Sequence, residues 1–263
     1  MSFNVDGGYL SFKMAFGNFD SWVMKYGQQV SLFAVDNKPK RKELYPQYKQ
    51  YRNTEAKKEN IQMVWELRKR IENEALLPIC SIEGLEADDL VACWALFNDD
   101  DIIGVDKDFF QIPNLSHTFY HNLKAYHKED VINKLPSFVQ PLAKQNFALY
   151  QMLLGDVADN IPRLLAKGKL GKWQIEVVLD VVNTPFFQKT LLELFGDSII
   201  LNAQLVLLPY YEYCESKDWF GSWCRGAYHY PEYWQGLYNQ MQQVKLNNNV
   251  TSEVDNLKMF DLY

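Results

Sequence analysis

Val30-Ser31-Leu32-Phe33-Ala34-Val35-Asp36 is an apolar run that ends in an acid, and the chain repeats this arrangement. Phe3-Asn4-Val5 leads into Asp6, and Ile102-Ile103-Gly104-Val105 leads into Asp106-Lys107-Asp108. Pro78-Ile79-Cys80 leads through a short loop to Glu86-Ala87-Asp88-Asp89. Short apolar runs of this kind are typical of buried strands. Helical patterns separate them, so the sequence predicts an α/β fold with a mostly parallel central sheet flanked by helices.

The acids that end these runs are expected to meet. In an open α/β sheet the carboxyl ends of parallel strands line one crevice, where ligands bind. Close carboxylates repel one another unless cations lie between them. With the acidic pair of Gly155-Asp156-Val157-Ala158-Asp159-Asn160 the candidate metal ligands are nine: Asp6, Asp36, Glu86, Asp88, Asp89, Asp106, Asp108, Asp156 and Asp159. This pattern predicts a multi-metal centre and favours phosphodiester chemistry. A single acidic pair is also compatible with a helix N-terminus or a turn, and we interpret Asp99-Asp100-Asp101 as a turn.

Composition narrows the class of protein. Of the 263 residues, 48% are hydrophobic, enough for one sizeable core with or without a smaller lobe. No apolar run approaches the roughly 20 residues of a membrane span, and the N-terminus lacks a secretory pattern, so we expect a cytoplasmic protein without membrane association. The four cysteines contain no CxxC pair and are interpreted as reduced thiols. A zinc site at Cys214, Cys224 and His229 is disfavoured because structural zinc needs four close ligands.

The formal net charge of −6 does not exclude a nucleic-acid partner. Neutralising the nine acids with metal would move it to +3. Local patches, not the net charge, decide phosphate binding. One basic segment contains Lys38, Lys40, Arg41, Lys42, Lys49, Arg52, Lys57 and Lys58, and a second contains Arg163, Lys167, Lys169 and Lys172.

The helical patterns divide the chain into three parts. Residues 57–75 are predicted to form one amphipathic helix that turns Ile61, Val64, Trp65, the stem of Arg68 and Ile71 to the core. Further helices are predicted at 86–97, from Lys144, and near 171–182 and 185–195. We therefore expect an α/β core at 1–143, a helical lobe at 144–208 and an aromatic extension with a tail at 209–263.

Several motifs occur in one order along the chain. They are Val5-Asp6-Gly7, Ala34-Val35-Asp36, Leu44-Tyr45-Pro46-Gln47-Tyr48-Lys49-Gln50-Tyr51-Arg52, Glu86-Ala87-Asp88-Asp89, Asp106-Lys107-Asp108-Phe109-Phe110-Gln111 and Gly155-Asp156-Val157-Ala158-Asp159-Asn160-Ile161-Pro162. In these motifs the chain resembles the flap endonuclease and 5′→3′ exonuclease family over roughly residues 1–208. That family includes stand-alone phage enzymes and the nuclease domain of some bacterial DNA polymerases. The resemblance implies a PIN-like 5′-nuclease fold with a helix–three-turn–helix DNA-binding lobe.

The resemblance also implies roles for these residues. Asp6, Asp36, Glu86 and Asp88 would surround a first Mg²⁺, and the other five acids a second, with Mn²⁺ as a substitute. Lys49 and Arg52, on one face of a helix in the arch at about 38–56, would stabilise charge on the phosphate. The other interpretation of these two is an exposed basic helix that contacts phosphates without catalysis. Tyr48 and Tyr9 would stack on bases or, alternatively, Tyr48 would pack in the core.

The segment 155–180 resembles the family's helix–three-turn–helix, which holds duplex DNA and often binds K⁺. The DNA-contacting residues would be Arg41, Arg163, Lys167, Gly168, Lys169 and Lys172. Ala166 replaces a glycine of the family pattern, and this predicts altered turn geometry because alanine disfavours positive φ.

The sequence therefore predicts a monomeric, metal-dependent 5′-nuclease that acts on DNA 5′ ends, flaps or RNA primers. Two alternatives remain: a non-catalytic, structure-specific DNA-binding protein on the same scaffold, and a PIN-type ribonuclease. The aromatic residues of 209–263 would either cap the helical lobe or stack on single-stranded bases. The last residues, Asn256 to Tyr263, would either bind a replication sliding clamp or dock on their own domain.

Overall fold

The computed structural model describes residues 2–14, 18–50, 58–74, 76–208, 219–224 and 234–244. Within them, one six-stranded sheet has the order β3-β2-β1-β4-β5-β6. The strands are β1 (Phe3–Asp6), β2 (Val30–Ala34), β3 (Ile79–Cys80), β4 (Asp101–Ile103), β5 (His117–Phe119) and β6 (Ala125–His127). All neighbouring pairs are parallel except β5 and β6, which are antiparallel. The predicted mostly parallel sheet is thus confirmed.

Helices cover the sheet and continue beyond it. They are α1 (Gly7–Met14), α2 (Phe19–Tyr26), α3 (Arg41–Leu44), α4 (Lys58–Asn73), α5 (Ala87–Phe97), α6 (Lys128–Asn133), α7 (Gln140–Gln145), α8 (Phe147–Leu154), α9 (Gly168–Val181), α10 (Phe187–Phe195), α11 (Ser198–Val206) and α12 (Trp219–Cys224). Residues 234–244 are also helical, and short 3-10 helices occupy Gly27–Gln29 and Lys107–Gln111. The helices predicted at 57–75, 86–97, 171–182 and 185–195 correspond to α4, α5, α9 and α10.

Alternation along β2 sends its side chains into two cores. Phe33 and Val35 lie in a smaller cluster with residues of α1, α2 and α4. Leu32 and Ala34 lie in a larger cluster that continues through α5 and the helices from α6 onward. The larger of the two clusters is therefore shared by one face of the sheet and the helical region.

Part of the aromatic extension belongs to the larger core. Trp219, Phe220, Trp223 and Trp234 are all less than 8% exposed and pack within that cluster. These four rings act as core residues, as the packing alternative for this region predicts, and are not available to stack on bases. The remaining aromatic residues of 209–263, except Tyr238, and the terminal segment from Asn256 lie outside the described residues.

Trp65 and the acids at the amino end of β4 lie outside the core and the acidic edge. Trp65, predicted to face the core, is 57% exposed, because the buried face of α4 is formed around Ile71 and Leu67 instead. Asp100 and Asp101 lie at the amino end of β4, where Asp100 accepts hydrogen bonds from Ser31 Oγ and Trp94 Nε1. These acids are therefore at the opposite end of the strand from the acidic motif Asp106-Lys107-Asp108.

Gly7 allows α1 to start directly at the end of β1. A Cβ atom at this position would lie 2.2 Å from the Ala34 carbonyl oxygen of β2. We expect Gly7→Ala to lower the free energy of unfolding by about 1–3 kcal/mol because the two backbones would have to separate. Urea unfolding measures the change. Gly236→Ala is the matched control: no atom lies within 4 Å of its added Cβ, and alanine favours its helix.

Candidate active site

Six of the predicted metal ligands lie at the carboxyl edge of the sheet. Asp6 ends β1, Asp36 follows β2 by two residues, and Asp106 and Asp108 follow β4. Glu86 precedes α5, and Asp88 lies in its first turn. Asp36 Oδ1 accepts a hydrogen bond of 2.8 Å from the Ala87 N–H, which joins the ends of β2 and α5. Because β1 lies between β2 and β4, these acids meet around Asp6.

The acids repel one another. Burial, with a contribution from Asp36, raises the pKa of Asp6 to about 6. Burial and the neighbouring Asp108 raise the pKa of Asp106 to about 7. Burial, Asp6 and Asp106 raise the pKa of Asp88 well above its ordinary value. Such mutual repulsion among buried oxygen donors is what bound cations relieve, so the donor set fits hard divalent metal ions.

Lysine ammonium groups neutralise the outer acids of the site. Lys49 Nζ is ion-paired with Glu86 Oε1, and Lys107 Nζ lies 2.5 Å from Asp156 Oδ2 and 3.2 Å from Asp108 Oδ1. Among the described residues, no group of three or more His, Cys, Asp or Glu side chains is arranged to hold a metal ion. Lys107 thus lies between Asp156 and Asp108, and the centre of nine acids stays a prediction.

Asp89 has a structural role, which corrects its prediction as a metal ligand. Its side chain is fully buried, and its two oxygens each lie 2.8 Å from the Arg41 guanidinium. Asp89 Oδ2 also accepts from the Glu86 N–H at 2.9 Å. Both oxygens are thus engaged beneath the start of α5.

Arg41 is likewise not a DNA contact, because it is only 1% exposed. Besides Asp89, its guanidinium donates to Glu86 Oε2 at 2.8 Å and to the Leu207 carbonyl at 2.7 Å. These bonds join α3 to α5 and to the end of α11. The basic composition of residues 38–58 suggested a solvated surface, and nothing in the sequence indicated that the Arg41 side chain is buried.

Tyr48 and Lys49 both contact Glu86. Tyr48 is 4% exposed and donates to Glu86 Oε2 at 3.0 Å, so the packing alternative applies and base stacking by Tyr48 is wrong. Although burial raises it, the pKa of Glu86 is lowered to about 2 by Arg41 and Lys49. Burial opposes the charge of Lys49, but Glu86 and other acids hold its pKa well above the ordinary value.

The backbone at Lys49 is not helical. Its φ is +56°, and its N–H donates to the Asp159 carbonyl oxygen at 2.9 Å. The prediction that residues 49 and 52 share a helical face is therefore wrong at Lys49, and Arg52 lies outside the described residues. The contact with Asp159 instead fixes Lys49 between the arch and the acidic turn at 155–160.

Two further side chains lie beside the acids. The Tyr9 N–H donates to Asp6 Oδ1 at 3.1 Å, while its hydroxyl lies 3.3 Å from His121 Nδ1, so base stacking by Tyr9 stays a prediction. Arg68 Nη2 of α4 lies 4.0 Å from Asp36 Oδ2. Sequence reasoning assigned only the stem of Arg68 to the core. An arginine on the buried face of an amphipathic helix was the signal that it faces a site.

The second basic segment spans the turn before α9 and the first residues of that helix. Arg163, Lys167, Lys169 and Lys172 are exposed, and Gly168 has φ of +67°. Positive φ occurs at Gly168 and not at Ala166, so the strain predicted for Ala166 is absent. The tight contact is instead at Gly171, where a Cβ atom would lie 2.0 Å from the Ala166 carbonyl oxygen.

We expect divalent metal to stabilise the protein more at about pH 8 than at about pH 5. In the folded protein the pKa values of Asp6 and Asp106, about 6 and about 7, exceed the ordinary 3.8. At low pH these acids are protonated and the metal-free protein is the more stable for it, and this stability is lost as the pH rises through the two pKa values. At the higher pH the acids are charged, and bound metal relieves their repulsion. The depressed pKa of Glu86 acts in the opposite direction, but only at more acidic pH.

Thermal unfolding with MgCl₂ or EDTA at both pH values measures this effect. The metal-induced rise in Tm should be larger at the higher pH and smaller in Asp88→Asn. Equal shifts at both pH values would contradict it.

An α/β sheet with carboxylates and lysines at its carboxyl edge is an arrangement that suits metal-dependent hydrolysis of phosphodiester bonds. Residues 7–136 match the family model of the 5'-3' exonuclease, N-terminal resolvase-like domain. No curated protein is significantly similar in sequence. No helix in the described residues is long and apolar enough to cross a membrane.

Solved structures share the fold over nearly the whole chain. A 5'-exonuclease of bacteriophage T5 with bound divalent zinc ions has a TM-score of 0.58 and 21% identity, covering 93% of this chain and 99% of that one. A bacteriophage T5 flap endonuclease in a pseudo-enzyme–product complex with DNA and metal ions has a TM-score of 0.56 and 20% identity, covering 92% and 98%. At this identity the likeness supports the fold.

Proposed function

We propose that the chain is a metal-dependent, structure-specific 5′-nuclease that hydrolyses phosphodiester bonds at DNA 5′ ends or flaps. The observation that carries this proposal is the meeting of Asp6, Asp36, Glu86, Asp88, Asp106 and Asp108 at the carboxyl ends of adjacent parallel strands. The family match and the DNA and metal complexes of the T5 enzymes support it.

The metal we propose is Mg²⁺, with Mn²⁺ as a substitute, because the donors are carboxylate oxygens. Asp6, Asp36, Glu86 and Asp88 would hold one ion, and Asp106, Asp108, Asp156 and Asp159 the other. When bound, such ions supply a hydroxide nucleophile at neutral pH and stabilise the leaving oxygen. Asp156 would have to exchange Lys107 for metal, and Glu86 would have to give up part of its contacts with Lys49, Arg41 and Tyr48.

Lys49 is proposed to stabilise charge on the reacting phosphate, together with Arg52. Its ammonium is held at the edge of the acid cluster by Glu86 and is partly exposed, with 13% of its side chain accessible. A positive group so placed is fixed before substrate binds, so little reorganisation is needed when charge develops.

The DNA substrate would contact both the helical lobe and the arch of the α/β core. We propose that the 155–172 region contacts the phosphates of the duplex through Arg163, Lys167, Gly168, Lys169 and Lys172, and that the 38–56 arch receives the 5′ strand. We accordingly propose three parts of the chain: a nuclease core at 1–143, a DNA-binding lobe at 144–208 and an extension at 209–263. Binding of K⁺ at the turn, contact with a sliding clamp, a monomeric state and a cytoplasmic location stay predictions.

Cleavage of 5′-labelled substrates tests the proposal. A flap, a nicked duplex and a single strand of DNA, and the same duplexes with an RNA 5′ strand, are incubated with MgCl₂ or EDTA. Cleavage near the flap junction that needs Mg²⁺ is the expected result. Flap binding without cleavage of any substrate would favour the non-catalytic DNA-binding alternative, and cleavage of single-stranded RNA alone would favour the PIN-type ribonuclease.

Lys49→Ala is expected to reduce kcat by about 10²–10³-fold while DNA binding is largely retained, because the interaction is strongest in the transition state. Single-turnover cleavage and binding in Ca²⁺ buffer give the two quantities. Lys42→Ala removes an exposed lysine of the same basic segment and should leave both unchanged. A loss of binding without loss of kcat would place Lys49 among the sequence-independent phosphate contacts.

A further inference from the structure

Arg68 has an incompletely used guanidinium beside the acid cluster. Its side chain is 13% exposed, and its nearest acid is Asp36, at 4.0 Å between Nη2 and Oδ2. Its Nε is buried and has no hydrogen-bond partner within the described part of the chain. Among the described residues, the terminal nitrogens of Arg68 thus make no ion pair shorter than this contact to Asp36.

The terminal nitrogens of Arg41 give a comparison within the same molecule. Its two terminal nitrogens are bonded at 2.7–2.8 Å to Asp89, Glu86 and the Leu207 carbonyl, and it is only 1% exposed. Among the described residues, the one ion pair of Arg68 is the long contact to Asp36, with Asp6 also within its electrostatic reach, and 13% of its side chain is exposed. The first arginine joins elements of the fold, whereas the second is free to bind a ligand anion.

Trp65 lies next to Arg68 on the solvent-exposed side of α4. It lies one turn before Arg68 on α4, with the Arg68 guanidinium carbon 5.9 Å from its ring centroid, and it is 57% exposed. The aromatic ring attracts the guanidinium and restricts its orientation. The exposed face of the ring is available for a base to stack on. A large exposed indole beside a polar site is a feature that single-stranded nucleic-acid binders use for base stacking.

We propose that Arg68 and Trp65 form a substrate-binding subsite for one nucleotide of the DNA strand on the α4 side of the acid cluster. Arg68 would bind a phosphate oxygen pair through its two terminal nitrogens, and Trp65 would stack on the adjacent base. This inference rests on the proposed function and adds a contact that the arch and the 155–172 region do not provide. Planar two-point binding of phosphate is the geometry that arginine favours.

DNA binding as a function of KCl concentration tests the subsite, with a fluorescent 5′-flap duplex in Ca²⁺ buffer. Arg68→Ala should raise Kd roughly tenfold, and it should reduce the slope of log Kd against log salt by about one phosphate contact. Arg68→Lys should keep the slope but bind more weakly than the parent, because the charge remains while the planar pair is lost. Trp65→Phe should remove part of the tryptophan fluorescence quenching that DNA causes.

Arg70→Ala is the matched control. Arg70 lies on the same helix but pairs with Asp20 at 2.6 Å and with Glu74 at 3.1 Å, away from the acids. Its removal should leave Kd and the salt slope unchanged.

The proposal is overturned if Arg68→Ala and Arg68→Lys, both folded by thermal unfolding, give the salt slope and Kd of Arg70→Ala. A change confined to the Mg²⁺ dependence of cleavage would likewise overturn it and make Arg68 a counter-ion of Asp36. If the unchanged protein cleaves flaps, such results reject only the subsite. If it neither binds nor cleaves them, the proposed function itself fails.

Discussion

Asp88→Asn is expected to reduce cleavage by about 10²–10³-fold or more and, at the same time, to stabilise the metal-free protein. Asp88 lies within the electrostatic reach of Asp6, Asp106 and Glu86, and burial together with Asp6 and Asp106 raises its pKa well above the ordinary value. Asparagine removes that repulsion and also a ligand of the proposed metal ions. The two effects have opposite signs because the same charge that destabilises the free site attracts the cations.

Flap cleavage and urea unfolding in EDTA measure the two effects of Asp88→Asn. Asp99→Asn is the control: it makes the same chemical change at an exposed acid at the other end of the sheet and should alter neither. Loss of activity together with loss of stability would mean that Asp88 supports the fold and not the metal site.

Arg41→Met is expected to lower the free energy of unfolding by about 3–5 kcal/mol, since it leaves Asp89 buried and without its main partner. Arg41 holds both oxygens of Asp89 and one of Glu86, and it is the largest of the fully buried side chains. Chemical unfolding monitored by circular dichroism measures the loss.

The double variant Arg41→Met with Asp89→Leu distinguishes the cause. If the unpaired charge is responsible, most of the stability should return, because apolar replacement of a buried ion pair is often neutral. The exposed Lys42→Ala should have little effect. Loss of DNA affinity in Arg41→Met with unchanged stability would restore the earlier assignment of Arg41 as a DNA contact.

The contrast among the basic residues shows how far sequence reasoning reaches. Lys167, Lys169 and Lys172 are exposed as their composition suggests, whereas Arg41 from an equally polar segment is buried. Arg68 was assigned to the core by its spacing, yet its charged end faces Asp36. The spacing of residues along a helix predicts on which face of the helix a side chain lies. It does not predict which groups of other helices and strands contact that side chain.

The acidic residues likewise show which features the sequence can predict and which depend on tertiary contacts. The apolar runs that end in Asp6, Asp36 and Asp106 were sufficient to predict parallel strands and a common carboxyl edge, because alternation and strand direction are local properties with one three-dimensional consequence. Whether a particular acid faces that edge is not local. Asp88 and Asp89 are adjacent in sequence, but a helix rotates successive side chains by about 100°, so one faces the cluster and the other Arg41.

The sequence by itself thus determined the α/β sheet, the order of its motifs and the edge where the acidic site forms. The tertiary structure decided which charges pair. Arg41 with Asp89, Lys49 with Glu86, and Lys107 with Asp156 are contacts between residues distant in the chain. Such pairs are chosen by burial, since a charge withdrawn from water must find a partner wherever the fold places one.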